Sequence, residues 1–343
     1  ADKKGANWLM FQLRDYQQEI VSKTKTHILK GCKSILIQSP AGSGKSVIIA
    51  DIVKKATEKI LKERAESPQT IPGLEVGSEF TEFNRLTNGG RPGDLIFVCA
   101  RAKTGKSTLL KKWSTNIGVI DKLPVLYIDT EMDSRDQEDR ILADLSNIPY
   151  NEIISGSYVL NTANGLAKDK IERLKYATKL LQEDEFYYAK MPQFTADKVT
   201  SLTRKFKIQK NIVALFFDYL KLPANQVDTL KNVKEWQSLG FLASGLKDLA
   251  SILEIPVYSA CQENRGNPGS TEKNESNVGG SDRILQLATK LIFLYDKTDK
   301  QIALEGASNG NQELYIAFQR NGASKCDPIN IFFNKPYMRM EEV

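Results

Sequence analysis

The chain has 343 residues, of which 41% are hydrophobic and 26% charged, a balance typical of a globular protein with a substantial core. No apolar run approaches the roughly 18 residues needed to cross a bilayer, and the first residues, ADKKGANWLM, lack the apolar stretch of a signal peptide. These features disfavour a membrane-spanning or secreted class and predict a cytoplasmic protein. One histidine, His27, and four scattered cysteines suggest neither a zinc site nor a disulfide framework, and Cys99 and Cys261 are expected in the core.

The positive charge is concentrated near the N-terminus. The net charge is +6, but residues 1–64 hold 13 Lys and Arg against 6 Asp and Glu, whereas the remainder holds 35 against 36. This bias is compatible with a nucleic-acid partner and also with a solvated, lysine-rich helix face.

The first 65 residues predict a small helix, strand and helix. RDYQQEIVSKTKTHILKG (14–31) has a helical pattern, KSILIQSP (33–40) that of a strand, and SGKSVIIADIVKKATEKILKERA (43–65) that of a long helix. Two prolines and a glycine in ESPQTIPG mark residues 66–73 as a seam or linker. A second domain is expected over residues 74–343.

The second domain alternates apolar strand patterns with helical patterns, which predicts an α/β fold with a mainly parallel sheet. The first four strand patterns lie between helical stretches, and their nearly continuous apolar character suits a sheet covered on both faces. The last three follow one another with short polar connections, which predicts an antiparallel edge. In chain order the predicted strands cover residues 94–100, 124–130, 211–220, 255–261, 288–296, 313–320 and 329–333.

A phosphate-binding loop is predicted at ARAKTGKS (100–107). The general pattern Gly-x-x-x-x-Gly-Lys-Ser/Thr follows a strand and opens a helix, so that backbone N–H groups and the helix N-terminus face the phosphates. Here Lys106 would neutralise phosphate oxygens and Ser107 would hold Mg²⁺, while Ala100 replaces the first glycine. The predicted nucleotide-binding residues are Ala100, Arg101, Ala102, Lys103, Thr104, Gly105, Lys106, Ser107 and Thr108.

Two acidic residues are candidates for hydrolysis, which needs a carboxylate near Mg²⁺ and a group that orients or deprotonates water. Asp218 ends the apolar run IVALFFD and Glu131 follows YIDT, so both are expected where ligands of open α/β sheets bind. Each acid alone also fits a helix cap. The pair beside a phosphate loop favours nucleotide hydrolysis.

The order of these elements resembles the helicase domain of DnaB-type replicative helicases, the hexameric ring motors with a RecA-like core. FTEFNRLTNGGRPGDLIFVCARAKTGKSTLL resembles that family's phosphate loop and its lead-in, where alanine commonly takes the first loop position. The resemblance implies that Glu131 in YIDTEM is the catalytic glutamate. It implies that Asp218 in FFDYLKL is the Walker B aspartate, which shares Mg²⁺ with Ser107, and that Gln262 in VYSACQENR senses the γ-phosphate of ATP.

The segment AFQRNG resembles the family's Lys-x-Arg-Asn-Gly, whose arginine reaches the ATP of a neighbouring subunit. Arg320 takes the arginine position, whereas Phe318 replaces the lysine, so Arg320 is the sole candidate for this role. An isolated arginine on an edge strand also fits a plain surface charge. A site completed by a second copy implies a homo-oligomer, by family likeness a hexameric ring.

Such a ring is expected to bind single-stranded DNA and to move along it. Two polar loops, 221–232 and 263–282, directly follow the strand patterns that end at Asp218 and Gln262, and GGSDRILQLATKLIFLY resembles the family's DNA-facing motif. Basic groups on such loops contact phosphates without reading sequence. The predicted DNA-binding residues are Lys221, Lys231, Arg265, Lys273, Arg283 and Gln286.

The N-terminal segment contains a second Gly-Lys-Ser, in SPAGSGKS (39–46). LRDYQQEIV followed by ILIQSPAGSGKSVIIADIV resembles the opening of a superfamily 2 helicase, with an adenine-reading Gln17 and a second phosphate loop at Gly42, Gly44, Lys45 and Ser46. No Asp-Glu-x-His motif or second motor lobe follows. Three interpretations stay open: residues missing near 62–68, a remnant or adaptor, or a regulatory nucleotide site.

The leading functional prediction is an ATP- and Mg²⁺-dependent, ring-forming DNA helicase of replication, bacterial or phage-encoded, with primase or a helicase loader as a partner. A RecA- or RadA-like recombination ATPase is the alternative among motors. A non-motor loader or regulator that senses ATP is the alternative from another class. No membrane partner is expected.

Overall fold

A computed structural model of the chain describes residues 13–29, 71–160, 166–221, 235–262, 282–322 and 324–343, together with short stretches between 48 and 68. The chain divides into two compact units, Ala1–Thr70 and Ile71–Val343. This division lies within the Pro- and Gly-containing stretch 66–73. No helix within the described ranges is both long and apolar enough to cross a bilayer.

In the first unit, helix α1 spans Asp15–Leu29. Asp15 in its first turn is favourable beside the positive end of the helix dipole, and Gln17 Oε1 accepts a 2.9 Å hydrogen bond from the N–H of Arg14. The described positions between 48 and 66 are all helical. The strand predicted at 33–40 lies outside the described residues.

The second unit is built on a nine-stranded sheet. Its strands are β1 Leu95–Ala100, β2 Val125–Asp129, β3 Phe186–Lys190, β4 Ala214–Asp218, β5 Val257–Gln262, β6 Lys290–Asp296, β7 Gln312–Gln319, β8 Ile329–Asn334 and β9 Arg339–Glu342. They lie in the order β3-β2-β4-β5-β1-β6-β7-β8-β9. The strands from β3 to β6 in this order pair in parallel, and β7, β8 and β9 continue the sheet antiparallel.

Helices cover both faces of this sheet. They are α2 Thr81–Thr87, α3 Lys106–Thr115, α4 Ser134–Ser146, α5 Tyr150–Ser155, α6 Leu166–Gln182, α7 Ala196–Lys210, α8 Glu235–Leu253, α9 Asp282–Leu287 and α10 Asp299–Glu305, and a π-helical turn at Asn116–Ile120 continues α3. Side-chain caps fix two of the starts: Thr195 Oγ1 accepts a hydrogen bond from the third residue of α7, and Thr298 forms a capping box at α10.

The core lies in two layers, one on each face of the sheet. One face packs against α7, α8 and α9 through residues such as Val199, Leu246 and Ile284. The other packs against α2 and α3, where the Trp113 ring stacks on Phe83 with centroids 4.7 Å apart. Because both faces are covered, every residue of β1 is buried, as the continuous apolar pattern predicts.

The parallel strands give the sheet two ends with different residues. At the carboxyl end, Ala100 lies opposite Gln262, and Asp129 lies opposite Asp218. The amino end is where these strands begin. Strand β7 runs the other way, so its first residue lies at the carboxyl end and its last at the amino end.

The structure corrects the predicted sheet in two respects. Strands β3 and β9 were not predicted, because β3 is only half-buried and β9, RMEE, is mostly polar. The strand predicted at 288–296 as part of the antiparallel edge is parallel to β1 on one side and antiparallel to β7 on the other. It follows α9, so the connection from β5 is long enough for a parallel crossover.

The expectation of two core cysteines without a disulfide is wrong in its second part. Cys99 and Cys261 are both buried, but their sulfur atoms are bonded, 2.02 Å apart. The two residues lie directly opposite each other on β1 and β5. Strand register brings them together, and their separation in sequence gives no sign of it.

Candidate functional site

The predicted phosphate loop connects β1 to α3 at the carboxyl end of the sheet. Ala100 ends β1, and Lys106 and Ser107 begin α3. Gly105 has a φ of 108°, which favours glycine, and a Cβ there would lie 2.6 Å from Met340 Cε. The loop therefore presents the free N–H groups of the first turn of α3, the feature that binds phosphate in such loops.

The remaining loop residues divide into exposed and anchored ones. Arg101, Ala102 and Lys103 are exposed. Thr104 and Thr108 are buried, and the Thr104 carbonyl accepts a 2.6 Å hydrogen bond from Gln312 Nε2 at the start of β7. The antiparallel part of the sheet thus anchors the loop.

The hydroxyl of Ser107 meets the carboxylate of Asp218 directly. Ser107 Oγ donates a 3.1 Å hydrogen bond to Asp218 Oδ1, and the Tyr127 hydroxyl donates a 2.8 Å hydrogen bond to Oδ2. Burial, reinforced by the negative charge of Asp129, raises the pKa of Asp218 to about 6. Ser107 and Asp218 bring together hydroxyl and carboxylate oxygens, the hard donors that Mg²⁺ prefers.

The carboxylate of Glu131 is engaged by two neighbours. Lys221 Nζ lies 2.9 Å from Glu131 Oε1 and also donates to the Thr130 carbonyl at 3.3 Å. Burial, followed by the charge of Glu131 and a hydrogen bond to it, raises the pKa of the Tyr219 hydroxyl. The ammonium groups of Lys106 and Lys221 lie 5.1 and 5.4 Å from the centroid of the Tyr219 ring. Glu131 and the loop lysine are therefore parts of one cluster.

Asp129, which the sequence argument did not select, fixes the backbone that carries Glu131. Its Oδ1 accepts 2.8 Å hydrogen bonds from the N–H groups of Glu131 and Met132, and its Oδ2 accepts one of 2.6 Å from Gln137 Nε2. An acid at the end of the strand pattern YID was a visible signal for this role. Gln262, at the end of β5, is exposed at the same end of the sheet.

A cavity of about 330 Å³ opens beside the phosphate loop. The loop and first turn of α3 form one wall, and the other wall comes from α4 and from the connection between β8 and β9. The lining residues are Lys103, Gly105, Lys106, Ser107, Thr108, Arg140, Phe333, Lys335 and Met338. The last four were missed. No local pattern ties Arg140 on α4 to the loop, or ties the C-terminal residues Phe333, Lys335 and Met338 to a loop more than 200 residues earlier.

Arg320 lies at the amino end of the sheet, away from the phosphate loop of its own chain. It directly follows β7, whose first residue, Gln312, contacts that loop, and the strand length places Arg320 roughly 25 Å from Gln312. The exposed guanidinium donates a 2.6 Å hydrogen bond from Nη2 to the Gln286 carbonyl. Phe318 packs against the hydrophobic core, so this position contributes to packing.

The structure describes only part of the predicted DNA-binding set. Lys221 is paired with Glu131, and Gln286 is exposed on α9. Arg283 belongs to α9, but its side chain lies outside what the structure describes. Outside the described residues lie Lys231, Arg265, Lys273 and the second loop residues Gly42, Gly44, Lys45 and Ser46.

A helix that opens with Gly-Lys-Ser after a buried parallel strand, with a strand-end aspartate on its serine, defines a P-loop protein of the α/β class. Within that class, the family model for the DnaB-like helicase C-terminal domain matches residues 73–342, and the chain belongs to this family. The resemblance predicted from the sequence is thereby confirmed. A second model, Type III restriction enzyme, res subunit, matches residues 10–65 and agrees with a helicase-like N-terminal segment.

Curated relatives are replicative helicases at low identity. The chain is 25% identical over 305 residues to the replicative DNA helicase DnaB of Haemophilus influenzae, which covers 86% of this chain and 61% of that protein. It is 25% identical over 277 residues to the replicative DNA helicase DnaB of Leifsonia xyli, covering 80% and 57%. The chain thus spans about three fifths of the length of these relatives.

Solved structures show the same fold. The ATPase domain of G40P matches with a TM-score of 0.72 at 20% identity, covering 85% of this chain and 98% of that one. A DnaB-like replicative helicase, described with its interactions with primase, matches with a TM-score of 0.69 at 19% identity, covering 95% and 76%. The predicted RecA-like α/β fold with a mainly parallel sheet and an antiparallel edge is confirmed.

Proposed function

We propose that this chain is an ATP-driven motor that forms a hexameric ring, moves along single-stranded DNA and separates strands in replication. One observation carries the proposal: Ser107 Oγ lies 3.1 Å from the buried Asp218 carboxylate at the start of α3. This is the pairing that nucleotide hydrolysis with a metal requires. Its setting would be the cytoplasm of a bacterium or of a phage-infected host.

The residues around Asp218 fit Mg²⁺. Asp218 is buried and, with a pKa of about 6, is ionised at neutral pH, and its hydrogen bonds come from two hydroxyls. A buried negative charge of this kind is costly unless a cation neutralises it. Ser107 and Asp218 would hold the ion, which supplies charge neutralisation to the phosphate oxygens of ATP.

The chain's own groups would do the rest of the chemistry. Lys106 and the first N–H groups of α3 bind the phosphates. Glu131, whose backbone Asp129 holds in place, accepts the proton of the attacking water. Gln262, at the end of the adjacent strand, contacts the γ-phosphate and responds to its loss.

Arg320 would complete the site of a neighbouring copy. It lies at the amino end of the sheet, whereas its own phosphate loop lies at the carboxyl end, so within one chain it is too far away to reach the nucleotide. Head-to-tail contacts that bring one copy's amino end to the next copy's carboxyl end close into a ring. The DNA-binding set, Lys221, Lys231, Arg265, Lys273, Arg283 and Gln286, would then contact the strand.

Primase or a helicase loader is the proposed protein partner. The support is the structural likeness to a DnaB-like helicase described with its interactions with primase, and it extends to this chain only as a proposal. The first unit, with its second Gly-Lys-Ser at Lys45 and Ser46, stays open as an adaptor or a regulatory nucleotide site. Replacing Lys45 with Ala tests the latter, which predicts a changed ATPase rate or DNA affinity.

The decisive experiment is strand separation on a forked DNA with a 5′ tail, with light scattering on the same sample. We expect a jump in mass to that of a ring on addition of ATP and Mg²⁺, and unwinding that requires ATP. Filaments without strand separation would favour a RecA- or RadA-like recombination ATPase.

The matched variants are Glu131→Gln and Glu172→Gln. Loss of the Glu131 carboxylate removes the proton acceptor, so the steady-state hydrolysis rate should fall about 10²- to 10⁴-fold while ATP binding persists. Glu172 is an exposed residue on α6, and its variant should match the parent. A parent chain that binds ATP but does not hydrolyse it would instead indicate a sensor.

A further inference from the structure

One oxygen of the Glu131 carboxylate is held by an ion pair in this structure. This oxygen, Oε1, accepts from the ammonium group of Lys221 at 2.9 Å. We propose that Lys221 is a positioning residue that restrains Glu131 until a phosphate of single-stranded DNA takes up its ammonium group, which makes ATP hydrolysis depend on the bound strand. This inference rests on the proposed function.

The contacts define a restraint with two points of attachment. Lys221 Nζ bonds to the Glu131 carboxylate and to the Thr130 carbonyl, so it bridges the side chain of one residue and the backbone of the residue before it. The N–H of Glu131 is held in turn by Asp129. With the backbone fixed, the direction of the Glu131 side chain is the variable that Lys221 controls, together with the hydrogen bond from the Tyr219 hydroxyl.

A general base must come within hydrogen-bond reach of the proton it removes. An ammonium group has only donors, so the oxygen that it engages is turned toward Lys221 and partly neutralised. Release of Lys221 leaves this oxygen free to accept from water. The Lys221 pair therefore favours slow hydrolysis.

The pair is exposed enough to open. The Glu131 side chain is 52% exposed and that of Lys221 is 26% exposed. Ion pairs at such exposure are weak, and their loss corresponds to a rate change of about two- to fivefold. This is a suitable size for a contact that a ligand has to break in every cycle.

The position of Lys221 identifies the competing ligand as phosphate. Lys221 begins a sequence stretch, 221–232, that is polar in composition, and phosphate competes well with carboxylate for an ammonium group. Two sources of phosphate are near, the strand and ATP itself. In the proposed function Lys106 binds the phosphates of ATP, so the strand is the source of phosphate assigned to Lys221.

The test is the ATPase rate of Lys221→Met in the full chain, with and without an oligo(dT) strand. We expect the rate without DNA to rise about two- to fivefold, and the rate with saturating DNA to stay near that of the parent. The stimulation by DNA then falls by the same factor. Lys210→Met is the matched control, because Lys210 also lies 5.1 Å from a tyrosine ring, that of Tyr187, and it should change neither rate.

Two more variants separate the restraint from other effects. Lys221→Arg keeps the charge and should keep most of the stimulation by DNA, and it also checks that the position tolerates substitution. Adding Glu131→Gln to Lys221→Met should abolish the raised rate, because the gain acts through Glu131.

Several results would overturn the inference. One is an unchanged ratio of stimulated to unstimulated rate in Lys221→Met. Another is a lower rate in both conditions with a raised KM for ATP, which would assign Lys221 to the phosphates of ATP. If Glu131→Gln does not reduce ATP hydrolysis by the parent chain, or if the parent does not hydrolyse ATP, the proposed function is wrong, and the inference falls with it.

Discussion

An aspartate is buried at each end of the sheet, but the two carboxylates have different hydrogen-bond partners. At the amino end, Asp94 Oδ2 accepts from Lys290 Nζ at 2.7 Å and from the N–H of Arg91 at 3.0 Å. At the carboxyl end, Asp218 receives hydrogen bonds from two hydroxyls, and burial raises its pKa to about 6. The first carboxylate forms an ion pair within the chain, whereas the second has no ion pair among the described residues, and the charge of Lys106 offsets its burial only in part.

Under the proposed function, this difference separates a structural end of the sheet from the end that binds the nucleotide. A buried charge with a counter-ion holds the fold together, whereas a buried charge without one reduces stability until a ligand arrives. Among the described residues, the exposed guanidinium of Arg320 at the amino end donates to the carbonyl of Gln286. One copy therefore carries the proposed Mg²⁺ ligand Asp218 at one end of the sheet and the exposed Arg320 at the other, and the proposed ring would bring these two ends of neighbouring copies together.

The largest expected effect comes from Arg320→Ala. If this cation stabilises the transition state at a neighbour's site, hydrolysis should fall about 10³-fold or more, with ATP binding by the isolated copy unchanged. Steady-state ATPase rates and nucleotide titration measure the two quantities. Arg339→Ala, at the start of β9, is the matched control, because Arg339 is paired with the nearby Glu341.

Mixing two inactive variants tests whether Arg320 acts between copies. An interface that takes Glu131 from an Arg320→Ala copy and Arg320 from a Glu131→Gln copy has both groups intact. Part of the activity should therefore return when the two variants are combined. No recovery in mixed oligomers would mean that the two ends of the sheet do not serve one site.

Local patterns were enough to find the carboxyl end of the sheet. The phosphate loop and the strand-end acids Asp218 and Glu131 are contiguous with strong strand patterns, so each could be placed from its neighbours in sequence. The ion pairs between residues distant in sequence could not be predicted in this way. Lys221 meets Glu131 across 90 residues and Lys290 meets Asp94 across 196, and such contacts follow from strand order, which a single sequence does not show.

The strands at the two edges of the sheet were harder still to predict from the sequence. Strand β3 has no fully buried residue, so its pattern lacks the apolar run that identified β1 and β4. The C-terminal hairpin lines the cavity through Phe333, Lys335 and Met338, although its sequence contains no recognisable nucleotide-binding motif. Tertiary packing decides both, and local propensity contributes little.

A smaller effect is expected from Lys290→Met, which removes the counter-ion at the amino end. Asp94 would then be a buried carboxylate without a cation, and the free energy of unfolding of the second unit should fall by about 3 kcal/mol. Denaturant unfolding measures it. Lys190→Met breaks the more exposed pair with Asp133, and we expect a change below about 1 kcal/mol there. Equal losses in the two variants would contradict the role assigned to the amino end.

The smallest expected effect is a gain in stability from Asp218→Asn, measured without nucleotide and in a metal chelator. The folded-state pKa of Asp218 is raised from 3.8 to about 6, so the folded chain prefers the neutral acid. That preference stabilises the fold fully below about pH 4, and it is lost as the pH rises through 6. At pH 7.5 the ionised acid therefore reduces stability by about 3 kcal/mol. The amide should recover about 2 kcal/mol of this, because its NH₂ group cannot accept a hydroxyl hydrogen bond as the carboxylate does, and it should raise the thermal midpoint by about 4 °C.

The same change at the other end of the sheet should have the opposite sign. Asp94→Asn leaves the buried ammonium group of Lys290 without its carboxylate, so the thermal midpoint should fall. The gain from Asp218→Asn should also shrink between pH 7.5 and pH 5, because the parent carboxyl is then mostly protonated and its ionisation no longer opposes folding. If both amides lower the midpoint, or if the gain at Asp218 does not change with pH, the carboxyl end holds no unneutralised charge, and the contrast between the two ends of the sheet is wrong.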